Sequence, residues 1–183
     1  IAVHLYGQPC DMDEKVELSK EFNFSIIEDC SQSHESTYKN NLLGSYGDMA
    51  VYSLYPAKNL GAIGDAGIIT TNNTDLYDLM RMKRSHGMAR ESSKQKEYAT
   101  KNPHIEPSFL FMTDGYNFRN HEICAVLGSS QLKRLDSMIE QRRHNYEQYV
   151  RIINDYPTLF YPHAHEEGNS SFCFPFVCKS EKI

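Results

Sequence analysis

Residues 1–28 place a strand, a helix and a second strand within the span of a single βαβ unit, and no other stretch constrains the fold as tightly. IAVHL (1–5) is an apolar run, and DMDEKVELSKEF (11–22) opens on acidic residues and carries Val16, Leu18 and Phe22 at apolar positions. FSIIE (24–28) is strand-like again. Two strands joined by one helix in this length run parallel with a right-handed crossover. Further strands are expected at 49–55 (MAVYSLY) and 67–71 (GIITT), followed by a helix over 74–84 behind the capping candidates Asn73 and Thr74. The fold class is therefore α/β with a mostly parallel sheet.

The second half has a different texture. Residues 89–108 are polar, contain Pro103 and Pro107, and are expected to form a loop. From 120 to 154 a long helical stretch follows, in which Leu135, Met138 and Ile139, then Tyr146, Tyr149, Val150 and Ile153, define one buried stripe. Gly128 is the expected point of bending. The change from α/β to a helix plus an apolar terminal run, FCFPFVC, divides the chain at residue 150. Residues 1–150 would form one large domain and 151–183 would begin a smaller α+β domain.

Composition narrows the function. A net charge of −5, with both signs interspersed, gives no basis for binding nucleic acid or an anionic membrane surface. No apolar run is long enough to span a bilayer, and a cytoplasmic protein is the expectation. Cys10, Cys30, Cys124, Cys173 and Cys178 form no C-x-x-C pair, which fits reduced thiols rather than a disulfide framework or a metal centre. His163, His165, Glu166 and Glu167 are the densest group of ligand types, but without helical i, i+4 spacing no metal site is expected there. The chain opens on a strand already under way, without Met, and closes on an unfinished apolar run, so it reads as an excerpt of a longer protein.

Open parallel sheets bind ligands at the carboxyl ends of their strands. Here those ends are EDCSQ (28–32) and SLYPAKN (53–59), so Asp29 and Lys58 can converge on one site. Taken singly, each has an ordinary explanation: a turn or cap residue for Asp29, a solvated loop lysine for Lys58, a backbone-bonded hydroxyl for Ser53. Gly61, Gly64 and Gly67 match neither a dinucleotide nor a P-loop pattern.

Several motifs, in order, change that balance. VHLYGQPCDMD, IIEDCSQSHESTYKNNLLGSYGDMAVYSLYPAKNLGAIGDAGIITTN, RSHGM and DGYNFRNHEICAVLGSSQLKRLD together resemble the DegT/DnrJ/EryC1/StrS family of pyridoxal-phosphate-dependent sugar aminotransferases, from residue 3 to about 145. The resemblance implies a fold-type I large domain and pyridoxal 5'-phosphate as cofactor. It also implies a homodimer with its active site at the interface, and transfer of an amino group from glutamate to a nucleotide-linked keto-deoxysugar. Lys58 matches the family's Schiff-base lysine, and Asp29 the acid that pairs with the pyridine nitrogen. Ser31 matches a small residue packed on the ring, Gln32 a contact beside the phenolic oxygen, and Ser53 a donor to the phosphate. Asn117 and Arg119 match a motif delivered across the dimer interface, with Arg119 serving substrate or supporting its loop, and His86 is a candidate substrate contact.

Two departures accompany the resemblance. The family's turn after the lysine is glycine-glutamate-glycine-glycine, whereas here it is Gly64-Asp65-Ala66-Gly67, which puts an alanine where positive φ is in question. The family's N-terminal part, with its phosphate-binding turn and the aromatic residue stacked on the cofactor, has no counterpart in this chain. The tail NSSFCFPFVC is similar to a 3-dehydratase branch that carries histidine in place of the lysine, and Lys58 favours the transaminating branch. The alternatives are thus a nucleotide-sugar 3-dehydratase and a non-catalytic truncated homologue.

Overall fold

A computed structural model describes residues 1–163 and 167–180. In chain order the elements are β1 (Ala2–Val3), α1 (Met12–Phe22), β2 (Ile27–Asp29), β3 (Thr37–Tyr38), β4 (Asn41–Leu42), β5 (Met49–Ser53) and β6 (Gly67–Thr70), then α2 (Thr74–Lys83), α3 (Gln95–Lys101), α4 (Glu122–Leu132) and α5 (Leu135–Asn154). The main sheet has the order β1-β2-β5-β6. β1 pairs parallel to β2 (Ala2 opposite Glu28, Val3 opposite Asp29), and β2 pairs parallel to β5 (Ile27 opposite Met49, Asp29 opposite Val51). The expected βαβ unit is present. The chain divides into two compact units, residues 1–69 with 122–183 and residues 70–121.

In the first unit the core lies in two clusters. Met12 of α1 packs with Ala2, Ile26, Cys30, Leu43 and Ala50. Leu135 and Ile139 of α5 and Cys124 of α4 pack with Leu54, Leu60 and Ala66. Helix α1 begins after Asp11 and ends on Asn23 in the left-handed conformation (φ 52°), whose amide returns to the Ser19 carbonyl. Its buried side is Met12 with partly buried Val16, whereas Leu18 and Phe22 are 38% and 65% exposed, so only part of the expected apolar face is used.

Several expected boundaries move, each for a local reason. The first strand stops at Val3: His4 turns inward against Glu28, and Tyr6 (φ 61°) enters the left-handed region in a 3-10 turn over Leu5–Gly7. The two-stranded β3–β4 ladder, antiparallel with left-handed Lys39 and Asn40 at its tip (φ 48° and 64°), is not expected from the sequence, because its strands are two residues each. The long helix breaks at residues 133–134, with Arg134 at φ −114° and ψ 0°, and not at Gly128. Gly128 is buried inside α4 and the helix continues through it; a β-carbon there would make an ordinary 3.7 Å contact with Leu54. The α5 stripe is buried at Leu135, Ile139, Tyr146 and Ile153, while Tyr149 is 51% exposed. Among the described residues, 172–178 form no ladder, only the single antiparallel bridge Phe160–Cys178.

In the second unit, Asn73 caps α2, its Oδ1 accepting from the Asp75 and Leu76 amides at 2.9 and 3.1 Å. The expected 89–108 loop contains helix α3. What orders its approach is polar: buried Asp78 accepts from the Ser92 and Ser93 hydroxyls (3.1 and 2.6 Å) and the Ser93 amide (3.1 Å), and Lys94 pairs with Asp75. An apolar stripe, the usual helix signal, is missing from such a segment. Of the 163–167 group of ligand types, His165 and Glu166 lie outside the described residues. His163 stacks on Phe174 (4.8 Å between centroids) and faces the Tyr146 hydroxyl.

Candidate active site

The parallel register of β2 and β5 brings two strand ends level. Neighbouring strands lie about 4.8 Å apart, and Asp29 stands opposite Val51, two residues before Ser53. The chain leaves β2 through Asp29, Ser31 and Gln32, and leaves β5 through Ser53 toward Lys58. These five residues, all half-buried, belong to the first unit.

Each is held by its own loop. Asp29 accepts the Ser31 amide on Oδ1 (2.9 Å), so the carboxylate caps the turn that follows it. Gln32 accepts the Tyr6 amide on Oε1 (2.8 Å), which ties it to the left-handed turn after β1. Ser53 accepts the Tyr55 amide on Oγ (3.3 Å), leaving its hydroxyl proton available to donate. The Lys58 amide donates to the Tyr55 carbonyl (2.9 Å), closing the turn that lifts the lysine off the strand end. Its Nζ lies 4.8 Å from the centroid of the Phe172 ring, and no carboxylate pairs with it among the described residues.

The glycine-rich turn behind the lysine folds back on β5: the Leu54 amide donates to the Ala66 carbonyl (2.8 Å) and the Ala62 amide to the Leu54 carbonyl (2.7 Å). Gly64 takes the left-handed conformation (φ +77°) in open space. Ala66 is buried in the core and is not among the positive-φ residues, so the departure from the family's turn introduces no backbone strain.

Three neighbours carry no signal in the sequence. His34 is 3% exposed, tilted against Tyr52 (5.7 Å between centroids), and neither ring nitrogen makes a hydrogen bond of good geometry among the described residues. Burial first, then the positive charge of Lys58, hold its pKa down at about 4, against the opposing pull of the Ser53 main chain beside the ring. Asn59, 1% exposed, donates from Nδ2 to the Ser170 carbonyl and hydroxyl (3.4 and 3.3 Å) while its Oδ1 has no partner among the described residues. Phe172 is the third. His34 lies within one of the family-like motifs, but nothing in its local pattern marks it as orphaned.

A second polar cluster lies one residue from Asp29. His4 Nε2 is 3.2 Å from Glu28 Oε2, and Nδ1 of the same ring accepts the Cys10 amide (3.1 Å), which leaves Nε2 as the donor. Glu28 also accepts the Gly44, Tyr46 and Gly47 amides at 2.7, 2.8 and 2.7 Å. Burial opposes its ionisation, but these hydrogen bonds, His4's first, outweigh it and lower its pKa. Ligand atoms of His4, Glu28 and Cys30 lie within 4.8 Å of one another, yet the carboxylate is already satisfied and burial pushes the Cys30 thiol up to about 12. His4 and Glu28 are already spent on each other and on loop amides, so this group is a structural staple.

His86, Asn117 and Arg119 belong to the second unit. His86 is left-handed (φ 64°) and donates its amide to the Tyr116 carbonyl (2.8 Å), next to the antiparallel bridge Ser85–Asn117. Tyr116 and Phe118 stack at 4.9 Å, and Asn117 and Arg119 are exposed.

The profile of the DegT/DnrJ/EryC1/StrS aminotransferase family matches residues 1–183. The chain is 33% identical over 154 residues to a GDP-perosamine synthase of Escherichia coli O157:H7, covering 84% of this chain and 38% of that protein. It is 29% identical over 184 residues to a GDP-4-keto-6-deoxy-D-mannose 3-dehydratase of Escherichia coli O55:H7, covering 99% and 47%. Among solved structures, the E. coli GDP-4-keto-6-deoxy-D-mannose-3-dehydratase with bound hydrated PLP superposes with a TM-score of 0.86 at 27% identity, over 98% of this chain and 46% of that one. The chain thus spans less than half the length of these relatives. Proteins of this family are pyridoxal phosphate enzymes.

Proposed function

Because the chain belongs to the DegT/DnrJ/EryC1/StrS aminotransferase family, we propose that it forms the lysine-bearing core of an aminotransferase that moves an amino group from glutamate to the keto carbon of a nucleotide-linked deoxysugar. The observation that carries the proposal is the alignment of two strand ends, β2 leading into Asp29, Ser31 and Gln32, and β5 leading through Ser53 to a lysine with no carboxylate partner among the described residues. That donor set fits pyridoxal 5'-phosphate: an amine to hold it, an acid for its ring nitrogen and a hydroxyl for its phosphate. When bound, the cofactor supplies a protonated pyridine ring that draws electrons from the donor's α carbon.

In this proposal Lys58 would hold the cofactor, and its amine would move a proton between carbon atoms as general base and acid. Asp29 keeps the ring nitrogen protonated by placing a negative charge beside it. Ser31 packs against the ring, Gln32 contacts its oxygen side, and Ser53 donates to the phosphate. Exposed Asn117 and Arg119 serve the site of a second copy in a homodimer, and His86 meets the substrate. Residues 151–183 begin the smaller domain.

The test uses the complete protein. Pyridoxal phosphate followed by borohydride should leave a reduced adduct on the peptide containing Lys58, and Lys58→Ala should abolish both adduct and transamination. Transamination by Lys58→Ala would overturn the assignment. The 3-dehydratase alternative is favoured by the matches to such enzymes over 99% of this chain in sequence and 98% in structure. The sugar product decides: an aminotransferase returns a sugar that has gained nitrogen, a dehydratase one that has lost its 3-hydroxyl.

A further inference from the structure

We propose that Phe172 is a positioning residue for Lys58, delivered to it by a strap formed by residues 169–172. Its functional meaning rests on the role of Lys58 just proposed. The contact itself stands on geometry.

The strap is tied down along its whole length. The Ser170 amide donates to the Gly7 carbonyl (3.1 Å) and the Phe172 amide to the Tyr6 carbonyl (3.2 Å). Arg143 Nε donates to the Asn169 carbonyl (2.8 Å), and an Arg142 guanidinium nitrogen to the Phe172 carbonyl (3.1 Å), so two consecutive residues of α5 grip both ends. Gly7 is left-handed (φ +91°), and a β-carbon there would stand 2.8 Å from Ser170 Oγ and 3.0 Å from the Phe172 amide, so the close approach requires glycine. Ser170 is fully buried.

This strap touches the site at two further points. Tyr6, which accepts from Phe172 through its carbonyl, donates its own amide to Gln32. Asn59, the residue after the lysine, spends its Nδ2 on Ser170. Strap, Gln32 and the lysine loop therefore share one hydrogen-bonded frame, and a shift of residues 169–172 would be felt at both loops.

What the frame presents to Lys58 is the face of an aromatic ring, 4.8 Å from Nζ. A phenyl ring that merely filled the core would be buried, yet Phe172 is only half-buried while its backbone is fixed at both the amide and the carbonyl. The negative face of the ring holds an ammonium, restricts its direction and keeps water from one side of it.

The experiment reads Lys58 without cofactor. The protein is acetylated at limiting reagent and mildly alkaline pH, and the initial rate at each lysine is followed by peptide mass spectrometry, with exposed Lys20 and Lys133 as internal references. Phe172→Leu keeps bulk and removes the aromatic face, and should speed modification of Lys58 by about two- to fivefold, the range of an ordinary cation–π contact. Phe172→Tyr keeps the face and should leave the rate as in the parent, with the reference lysines unchanged in both. Equal Lys58 rates in parent and Phe172→Leu overturn the proposal, as does equal acceleration in both variants, which would mean that packing alone matters. The proposed function fails on a different result, absence of a borohydride-fixed adduct at Lys58 in the parent protein.

Discussion

Glu28 and His34 stand six positions apart, both removed from solvent, and their surroundings are opposite. The Glu28 carboxylate collects four donors, from His4 and from three amides of residues 44–47. His34 gathers no hydrogen bond of good geometry among the described residues, although the Ser53 main chain and the charge of Lys58 both reach it. Buried polar groups in folded proteins are almost always satisfied, because an orphan forfeits its hydration without replacement. Glu28 therefore reads as scaffold: it locks the 44–47 loop to the strand that ends at Asp29. His34 contributes no such lock: it lies beside Lys58 and the Ser53 main chain, its ring nitrogens without a well-formed hydrogen bond among the described residues.

The comparison can be broken at three points of decreasing size. Glu28→Ala would leave the buried His4 donor and the amides of half-buried Gly44, Tyr46 and Gly47 without their acceptor. At about 1–3 kcal/mol for each orphaned group, a loss of at least ~3 kcal/mol is expected in the stability measured by urea unfolding. A loss under ~1 kcal/mol would show that water readily replaces the carboxylate.

The second point is a pH window. His34 titrates at about 4 in the folded chain, below its ordinary 6.5, because burial and Lys58 disfavour the imidazolium. Between those values the unfolded chain takes up a proton that the folded chain refuses, so stability falls as pH drops through the window. Integrated at 1.36 kcal/mol per unit, the loss approaches ~3 kcal/mol by its lower end. Glu28 acts lower: its pKa lies below the ordinary 4.5, so its contribution is whole above that value and is lost progressively as pH falls from it through the depressed one. Urea midpoints measured from pH 7 to 5 should slope downward in the parent protein and be flatter in His34→Gln; identical slopes would remove His34 as the cause.

The smallest effect is expected at the surface. Lys39 and Asp13 form an ion pair whose side chains are 65% and 51% exposed. Exposed pairs trade hydration and side-chain freedom for little net attraction, so Lys39→Ala should leave the midpoint unchanged within error, at low salt and high. A clear loss would mean that this pair braces the β3–β4 ladder.

Much of this protein is legible in its residue order alone. Helix α1 follows from its acidic start and apolar positions, α2 from its cap residue Asn73, and the βαβ order from alternating strand and helix patterns. The family profile and the structural neighbours bear out the resemblance drawn from the ordered motifs. Polar α3 escapes such a reading because its approach is ordered by Asp78, Ser92 and Ser93 and not by an apolar face. Gly128 misleads because a buried glycine is tolerated inside α4, and the one-dimensional pattern does not separate it from one that bends a helix.

Residue order alone carries the βαβ unit, the later strands and α2 with its Asn73 cap, and a lysine placed after a strand, since these depend on neighbours within a few residues. Contacts between distant residues establish that Glu28 is satisfied while His34 has no well-formed hydrogen bond among the described residues, that Ala66 escapes strain, and that Asn59 meets Ser170 across 111 positions of chain. Satisfaction and close approach depend on which distant groups arrive at one point, and no local pattern encodes that arrival.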